Sequence, residues 1–284
     1  MTIDELRNKL AAVEELPALP TIVSEINTLL SNPKTTATEL GMVIKRDPAI
    51  TARVLKITNS AFFALPKKIT SVNMAIVALG FNTVRSIVLA TSVMEVFKFK
   101  DANQALNQKK FWVYSMSVAA SCRVLARNAG ERRTEFAFIS GLLHGLGRVV
   151  FAQFLTDDFN RTIEAAREQE RPLWDVQREL LGVSDSDAGG VLLEIWQLDR
   201  ILADAVKHQE NPLEAPEDSR MLSCFNLIAS VLVRVLQLGE SGDVYLPKIS
   251  RSVLNYAKVS DAQWDRLLQL TMDEAERASV FLQD

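Results

Sequence analysis

Apolar residues recur along most of the chain with the three-to-four residue spacing of an amphipathic helix. One face of such a helix is formed by Leu19, Ile22, Val23, Ile26, Leu29 and Leu30. This spacing predicts a helix with a single buried stripe. No segment alternates apolar and polar residues between turn signals in the way that a half-buried strand does. The pattern therefore predicts an all-α fold.

Capping residues indicate where the helices begin and end. Ser, Thr, Asp and Asn side chains accept hydrogen bonds from the free N–H groups of a first turn, and glycine ends a helix at little steric cost. Thr36-Ala37-Thr38-Glu39 has the spacing of a capping box, and Asp47-Pro48 joins an N-cap to a proline at the first helical position. The predicted starts are Thr36, Asp47, Ser71, Asn82, Thr134, Pro172, Asp199, Ser219 and Ser260, and the predicted ends are Gly80, Phe97, Gly130 and Gly182.

Composition indicates an intracellular globular protein. An apolar fraction of 48% over 284 residues supports a sizeable core, and a net charge of −3 gives no global attraction to polyanions. Cys122 and Cys224 lie far apart without C-x-x-C spacing, which favours buried thiols in a reducing compartment. Residues 1–5 lack the features of a signal peptide, and the apolar stretch 86–97 is too short to span a bilayer. We expect a cytoplasmic protein without a membrane span.

Positive charge is concentrated in residues 45–100, here called the basic segment. Its nine basic and two acidic side chains give +7, whereas residues 1–44 carry −3 and residues 101–284 carry −7. The basic residues are Lys45, Arg46, Arg53, Lys56, Lys67, Lys68, Arg85, Lys98 and Lys100. This asymmetry predicts a face for an anionic partner, with Lys67, Lys68 and Arg85 as candidate contacts; the alternative is a solvated face that balances the acidic remainder.

Two further features of the basic segment have alternative interpretations. Asn59 follows a predicted helix, where it either faces a ligand or ends the helix in the left-handed conformation. The helices predicted at 71–79 and 82–97 have the outline of a helix–turn–helix. The second is mostly apolar, however, and a helix that reads DNA needs several exposed polar side chains. We predict that it is a core helix.

Histidine is scarce, since His144 and His208 are the only two in the chain. A metal centre that hydrolyses phosphoesters needs several imidazole nitrogens and carboxylate oxygens around an open position for water. The sequence also lacks a phosphate-binding G-x-x-x-x-G-K-[ST] loop, an H-E-x-x-H motif and a G-x-S-x-G nucleophile elbow. These absences argue against the common hydrolase chemistries.

Several segments together resemble an HDOD domain, in the order in which that family carries them. They are Leu55–Phe63 with its Asn59-Ser60-Ala61-Phe62 step, Ile69–Gly80, Phe111–Trp112, Gly141–Arg148, Leu181–Val183 and Gly190–Trp196. The resemblance covers roughly residues 16–210. It implies a multi-helix bundle like that of the HD superfamily, with an N-terminal helical subdomain. It also implies a role in bacterial signalling and regulation, because phosphohydrolase chemistry is not demonstrated for the family.

The departures from the pattern fall on the metal-ligand positions of the HD superfamily, which is named for an adjacent His-Asp pair. That pair is His144-Gly145 here; the W-x-H-S histidine is Tyr114, and the closing His-His is Lys207-His208. We expect Lys207 to bring a cation next to the site, which disfavours a divalent metal. The L-G-x-D-H step reads Leu181-Gly182-Val183-Ser184-Asp185. The resemblance therefore implies a degenerate scaffold with no catalytic residue, metal or cofactor. A reduced metal site of His144, His208 and Asp185 is the alternative.

Structural interpretations exist for the same residues. His144, among apolar neighbours, is expected to be a buried neutral imidazole, and His208 a helix C-terminal residue favoured by the dipole. Ala137, Gly141 and Gly145 are spaced by four, which predicts one small-residue ridge where another helix approaches closely. An aspartate at position 145 would then be overpacked.

From these observations we predict an HDOD domain at 16–210, divided into an N-terminal helical subdomain (16–100) and an HD-like subdomain (101–210). Residues 211–284 are predicted to form a helical extension packed on it. The predicted function is a non-catalytic bacterial signal-transduction protein that binds signalling proteins and no membrane. The alternatives are a phosphohydrolase with a reduced metal site and a binder of nucleic acid or a cyclic dinucleotide through the basic segment.

Overall fold

The computed structural model describes residues 1–30, 32, 34–97, 106–243 and 245–283, which form α-helices joined by loops and short 3-10 turns. The helices are α1 Ile3–Ala11, α2 Thr21–Leu30, α3 Ala37–Lys45, α4 Pro48–Thr58, α5 Val72–Leu79, α6 Phe81–Val96, α7 Gln108–Ala129, α8 Thr134–Leu143, α9 Leu146–Phe154, α10 Thr156–Glu168, α11 Leu173–Leu181, α12 Asp185–Ile195, α13 Arg200–Lys207, α14 Glu217–Val235, α15 Arg251–Tyr256 and α16 Trp264–Ala278. No strand occurs in this part of the chain. The all-α prediction is confirmed.

Most predicted helix boundaries are confirmed by the capping contacts. The Thr36 and Glu39 side chains complete the capping box of α3, and the Asp47 carboxylate accepts hydrogen bonds from the first-turn N–H groups of α4. Gly130 and Gly182 end α7 and α11 in the left-handed region, at φ +73° and +80°. A residue with a Cβ would be strained there.

Two predicted boundaries and one predicted packing ridge are wrong. α6 begins at Phe81, directly after Gly80, so Asn82 does not cap it, because Gly80 adopts a positive φ that opens the helix without a side-chain cap. α14 begins at Glu217, and the Ser219 hydroxyl donates back to the Pro216 carbonyl instead. The ridge predicted to include Gly145 is broken because α8 ends at Leu143.

The helices cluster into two compact units, of which one comprises Met1–Leu16 and Lys98–Ala275. In this unit α7 packs on α8 and α14, and α12 packs on α9 and α13. Its core contains fully buried aromatic rings from five helices: Phe111, Phe138, Phe151, Phe159 and Phe225. This unit contains both histidines.

The other unit comprises Pro17–Phe97 and Glu276–Asp284. Within it α3 and α4 pack on α5, while α2 and α4 pack on α6. Helix α6 is buried along most of its length, including Val84, Ile87, Leu89 and Val93, as predicted for a core helix. The subdomain boundaries 16–100, 101–210 and 211–284 stay a prediction. Lys98 and Lys100 lie outside the described residues.

One stretch, Thr134–Phe154, is long and apolar enough to cross a bilayer. It covers α8, α9 and the turn between them, and 83% of its most apolar window is buried inside the protein. Burial of this kind is typical of core helices.

Candidate functional site

His144 lies in the turn after α8 and is held by two hydrogen bonds. Its Nδ1 lies 2.6 Å from the Gly141 carbonyl oxygen and its Nε2 lies 3.0 Å from the Tyr114 hydroxyl. Because a carbonyl only accepts, Nδ1 carries the proton, and Nε2 accepts from Tyr114. Burial lowers the pKa of His144 to about 3 and raises the pKa of Tyr114 to about 12. The imidazole is therefore neutral at physiological pH.

Arg148 and Asp185 form a buried ion pair beside this histidine. The Arg148 Nε donates to Asp185 Oδ2 at 2.6 Å, and its Nη1 donates to the Ser241 carbonyl at 2.7 Å. Burial alone would lower the pKa of Arg148, but Asp185 and Asp243 outweigh it and raise that pKa above its usual value. The first carboxylate of α12 is thus bound to a permanent cation.

Gly147 lets α9 and α12 lie close enough for this pair to form. A Cβ on Gly147 would lie 1.6 Å from the Asp185 carbonyl oxygen and 2.5 Å from the Gly189 nitrogen. Both are backbone atoms and cannot move aside. The hydrogen atom of Gly147 is what allows Arg148 and Asp185 to meet.

Residues after α13 complete the same region. The Gln209 side-chain amide donates to the His144 carbonyl and to the Ser186 hydroxyl, at 2.9 and 2.8 Å. Glu210 accepts from Arg178 through Oε2 at 2.9 Å. Burial raises the pKa of Glu210 to about 7, although Arg178 opposes this.

A cavity of about 50 Å³ opens between these groups. Arg234 on α14 and Asp243 on the following loop add a second arginine–carboxylate pair, with an Nη1–Oδ2 distance of 3.6 Å. Burial raises the pKa of Asp243, although Arg148 and Arg234 oppose it. The lining side chains include Tyr114, His144, Arg148, Trp174, Asp185, Glu210, Leu227, Arg234 and Asp243. We call this space the polar cavity.

The side chains present do not fit a metal ion of the HD type. No three His, Cys, Asp or Glu side chains in the described part of the chain are placed to share a metal. Both nitrogens of His144 are hydrogen bonded, and Asp185 is paired with Arg148. His208 does not line the polar cavity, and its Nδ1 donates to the Asp204 carbonyl at the end of α13.

The family resemblance predicted that Tyr114, His144, Gly145 and Asp185 lie in this region. It gave the wrong residue, Lys207, as the cation beside them. Lys207 does not line the polar cavity; Arg148 and Arg234 do. Glu210, Arg234 and Asp243 were missed, because only folding brings them to His144. The one available signal was the basic Arg148 that ends the Gly141–Arg148 motif.

Gly145 contacts an aromatic ring and not a neighbouring helix backbone. A Cβ at this position would lie 3.0 and 3.2 Å from two ring carbons of Phe111, whereas a Cβ on Gly141 would lie 2.8 Å from the Ala119 Cα. The close helix approach predicted from spacing therefore occurs at Gly141, against α7. Gly145 instead leaves room for the Phe111 ring beside His144.

Gly145→Asp is expected to destabilise the protein by about 2–4 kcal/mol, because the side chain pushes on Phe111 and buries an unpaired charge. Gly145→Ala is the matched control, since it adds the same Cβ without charge and should cost less. Chemical denaturation followed by circular dichroism measures both. A Gly145→Asp midpoint equal to that of the wild type would contradict the packing account.

The candidate interaction residues lie in the other unit. Lys67 and Lys68 are exposed in the connection before α5, and Arg85 is half-buried on α6. The Asn59 amide closes the loop after α4: Nδ2 donates to the Leu55 and Ile69 carbonyls, and Oδ1 accepts from Ile69 N–H, each at 2.8 Å. This favours a structural role for Asn59, but the left-handed conformation expected for it is wrong, since its φ is −87°.

Ion pairs neutralise part of the basic segment. Arg46 pairs with Glu25 at 2.8 Å, and Arg53 pairs with Glu95 at 2.6 Å. The exposed lysine pair at positions 67 and 68 remains a candidate for contact with an anionic partner.

The sequence model of the HDOD domain family matches residues 16–212 of this chain. A curated protein from Treponema pallidum (strain Nichols), described as uncharacterized, is 24% identical over 267 residues, which span 94% of this chain and 50% of the relative. YuxH from Bacillus subtilis (strain 168), also uncharacterized, is 29% identical over 110 residues, or 36% of this chain and 25% of YuxH. The chain thus spans half or less of the length of these curated relatives.

Solved structures share the fold over nearly the whole chain. An HDOD domain protein of unknown function from Geobacter sulfurreducens superposes with a TM-score of 0.80 at 22% identity, covering 98% of this chain and 96% of its own. A proposed phosphohydrolase from Shewanella amazonensis gives 0.72 at 24% identity, covering 95% and 97%. A proposed signal transduction protein from Marinobacter aquaeolei gives 0.76 at 21% identity, covering 99% and 65%. At these identities the likeness shows the fold alone.

Proposed function

This chain belongs to the HDOD domain family, and we propose that it is a non-catalytic regulatory protein that acts by binding other macromolecules. The observation that carries the proposal is that other side chains of the protein already bind His144 and Asp185. Tyr114 occupies Nε2 of His144, and Arg148 occupies the Asp185 carboxylate. A metal ion would have to displace both partners, at the cost of a buried guanidinium without its carboxylate.

The binding part of the proposal is supported by solved proteins that share this fold. They include a proposed signal transduction protein, and we extend a signalling role to this chain. We place the protein in a bacterial cytoplasm, with signalling proteins as partners. A reduced metal site and hydrolysis of phosphoesters remain the competing function, and the metal content of the protein distinguishes the two.

Nucleic acid or a cyclic dinucleotide is the second candidate class of partner, favoured by the exposed Lys67 and Lys68. Contacts made through such charges weaken as salt rises, because screening shortens to about 8 Å at physiological ionic strength. A protein partner held by an apolar surface would not show this dependence.

Reversing both lysines, Lys67→Glu with Lys68→Glu, is expected to weaken partner binding while changing stability by no more than about 0.5 kcal/mol, since both side chains are exposed. Capture of partners from lysate of the native cell, quantified by mass spectrometry, compares this variant with the wild type. Lys109→Glu with Arg132→Glu changes the net charge equally at exposed sites outside the basic segment and serves as the control.

The outcomes separate the partner classes. Salt-sensitive binding of nucleic acid or a cyclic dinucleotide that only the Lys67/Lys68 variant loses would identify the basic segment as the binding face. Specific protein partners that survive both variants and high salt would place the interface elsewhere. The absence of any macromolecule enriched over a bead control would contradict the proposed function.

A further inference from the structure

Helix α5 is apolar on every side, although one side of it faces solvent. Its only polar residue is Asn73. The exposed side chains of the helix are Met74, Val77 and Ala78. Val77 is 79% exposed, more than any other large apolar side chain in the described part of the chain. A helix that is apolar all round is normally buried, as α6 is, so α5 presents an uncovered apolar surface.

Helix α3 extends this surface. It packs on α5, and the two helices are closest where Gly41 meets Asn73, since a Cβ on Gly41 would lie 2.2 Å from Asn73 Oδ1. Met42 follows Gly41 on α3 and is 54% exposed, and Val77 lies one turn beyond Asn73 on α5. We call the surface that these helices share the α3–α5 face; its apolar side chains are Met42, Met74, Val77 and Ala78.

Exposed lysines give this face a positive rim. Lys45 lies one turn beyond Gly41 on α3, and Lys67 and Lys68 lie in the connection that leads into α5. The acidic side chains at the two ends of α3, Glu39 and Asp47, accept hydrogen bonds from backbone N–H groups in helix caps. The charge that the rim offers to a partner is therefore positive.

Charge and side-chain type favour one occupant of the face over two others. A second copy of this chain in a two-fold contact would bring the same lysines together, and like charges across an interface repel. Faces that dock on lipid carry tryptophan, phenylalanine or leucine as anchors, whereas the exposed side chains here are methionine, valine and alanine. Methionine is unbranched and polarizable, so it adapts to the side chains of a partner helix.

We propose that the α3–α5 face binds an amphipathic helix of a partner protein that carries acidic residues beside its apolar stripe. The stripe packs on Met42, Met74 and Val77, and the acidic side chains lie beside the lysines of the rim. The inference rests on the proposed function of a binding protein, and it names the surface and the chemistry of the partner.

The test uses two synthetic helical peptides of about 18 residues with the same leucine stripe, one flanked by glutamate and the other by lysine. Binding is followed through the isotope-labelled methyl groups of the protein's seven methionines. The Met42 and Met74 resonances are assigned by their loss in Met42→Leu and Met74→Leu. We expect the glutamate peptide to shift both saturably and the lysine peptide to bind at least about tenfold more weakly. Met116, which is buried in the other unit, should not shift.

Val77→Glu should weaken binding of the glutamate peptide by at least about tenfold, because it places a like charge in the middle of the apolar face. The exposed position of Val77 lets this variant fold as the wild type does. Val235→Glu is the matched control, since Val235 is an exposed valine on α14, in the other unit. Lys45→Glu with Lys68→Glu should reverse the preference, so that the lysine peptide binds more tightly.

Equal binding of the two peptides, no saturable shift, or binding that Val77→Glu leaves unchanged would overturn the assignment. Methionine shifts that depend on protein concentration without peptide would overturn it in favour of a second copy of the chain. Tighter binding to vesicles of phosphatidylglycerol and phosphatidylcholine than to the glutamate peptide would overturn it in favour of a lipid surface. If the peptides fail while specific partners are still captured from lysate, the interface lies elsewhere and the proposed function stands.

Discussion

Replacing Gly147 by alanine is expected to prevent stable folding or to cost at least about 4 kcal/mol. The added Cβ would lie 1.6 Å from the Asp185 carbonyl oxygen and 2.5 Å from the Gly189 nitrogen. Both atoms belong to the backbone of α12, so α9 and α12 would have to separate. Their separation would also break the Arg148–Asp185 pair. Urea denaturation followed by circular dichroism measures the loss.

Gly41→Ala is the matched control, because Gly41 is also a buried helical glycine. Its Cβ would lie 2.2 Å from Asn73 Oδ1, which is the far end of a side chain that can rotate. Alanine also gains about 1 kcal/mol in helix propensity over glycine. We therefore expect a change within about 1 kcal/mol for Gly41→Ala. An equally small effect for Gly147→Ala would contradict the close approach of α9 and α12.

Glu274→Ala is expected to destabilise the protein by about 3–5 kcal/mol. Glu274 on α16 accepts from Arg123 Nε at 2.7 Å, and both side chains are almost fully buried, at 5% and 3% exposed. Removing the carboxylate leaves the Arg123 guanidinium in the core without its nearest counter-charge, and the Glu135 carboxylate, 3.9 Å away, offsets that charge less well. Burial of the unmatched guanidinium dominates the expected loss.

The double variant Arg123→Met with Glu274→Leu separates charge burial from packing. Apolar side chains of similar volume remove both charges, so the double variant should be more stable than Glu274→Ala alone. Denaturant midpoints of Arg123→Met, Glu274→Leu and the double variant complete the cycle. If the loss of stability in the double variant equals the sum of the losses in the single variants, the two charges are not coupled. The pair would then contribute through packing alone.

Local signals predicted the helices well, because caps and apolar spacing act within a few residues. Thr36 and Asp47 cap as expected, and Gly130 and Gly182 end their helices. The Gly80–Phe81 junction was mispredicted because a positive-φ glycine can start a helix as well as end one. Helix α1 was not predicted, since its apolar residues Leu6 and Leu10 offer only a short stripe.

The candidate site was only partly predictable. The HDOD motifs indicated the place of His144, Tyr114 and Asp185, because these residues lie in segments that follow one another as they do in the family. Glu210, Arg234 and Asp243 come from segments far apart in sequence, and their charges acquire meaning only once α9, α12 and α14 surround one cavity. The same limit explains why the sequence indicated Lys207 as the cation beside the site, a place that Arg148 takes in the structure.

The central claim, that protein groups take the place of the metal, is tested most directly by the metal-to-protein ratio. Tag-free protein is incubated in turn with Fe²⁺, Mn²⁺ and Zn²⁺, desalted, and measured by mass spectrometry of the elements beside His144→Ala. We expect far less than one ion per chain, with no difference between the two proteins. About one ion per chain in the wild type, lost in His144→Ala, would contradict the claim and restore the phosphohydrolase alternative.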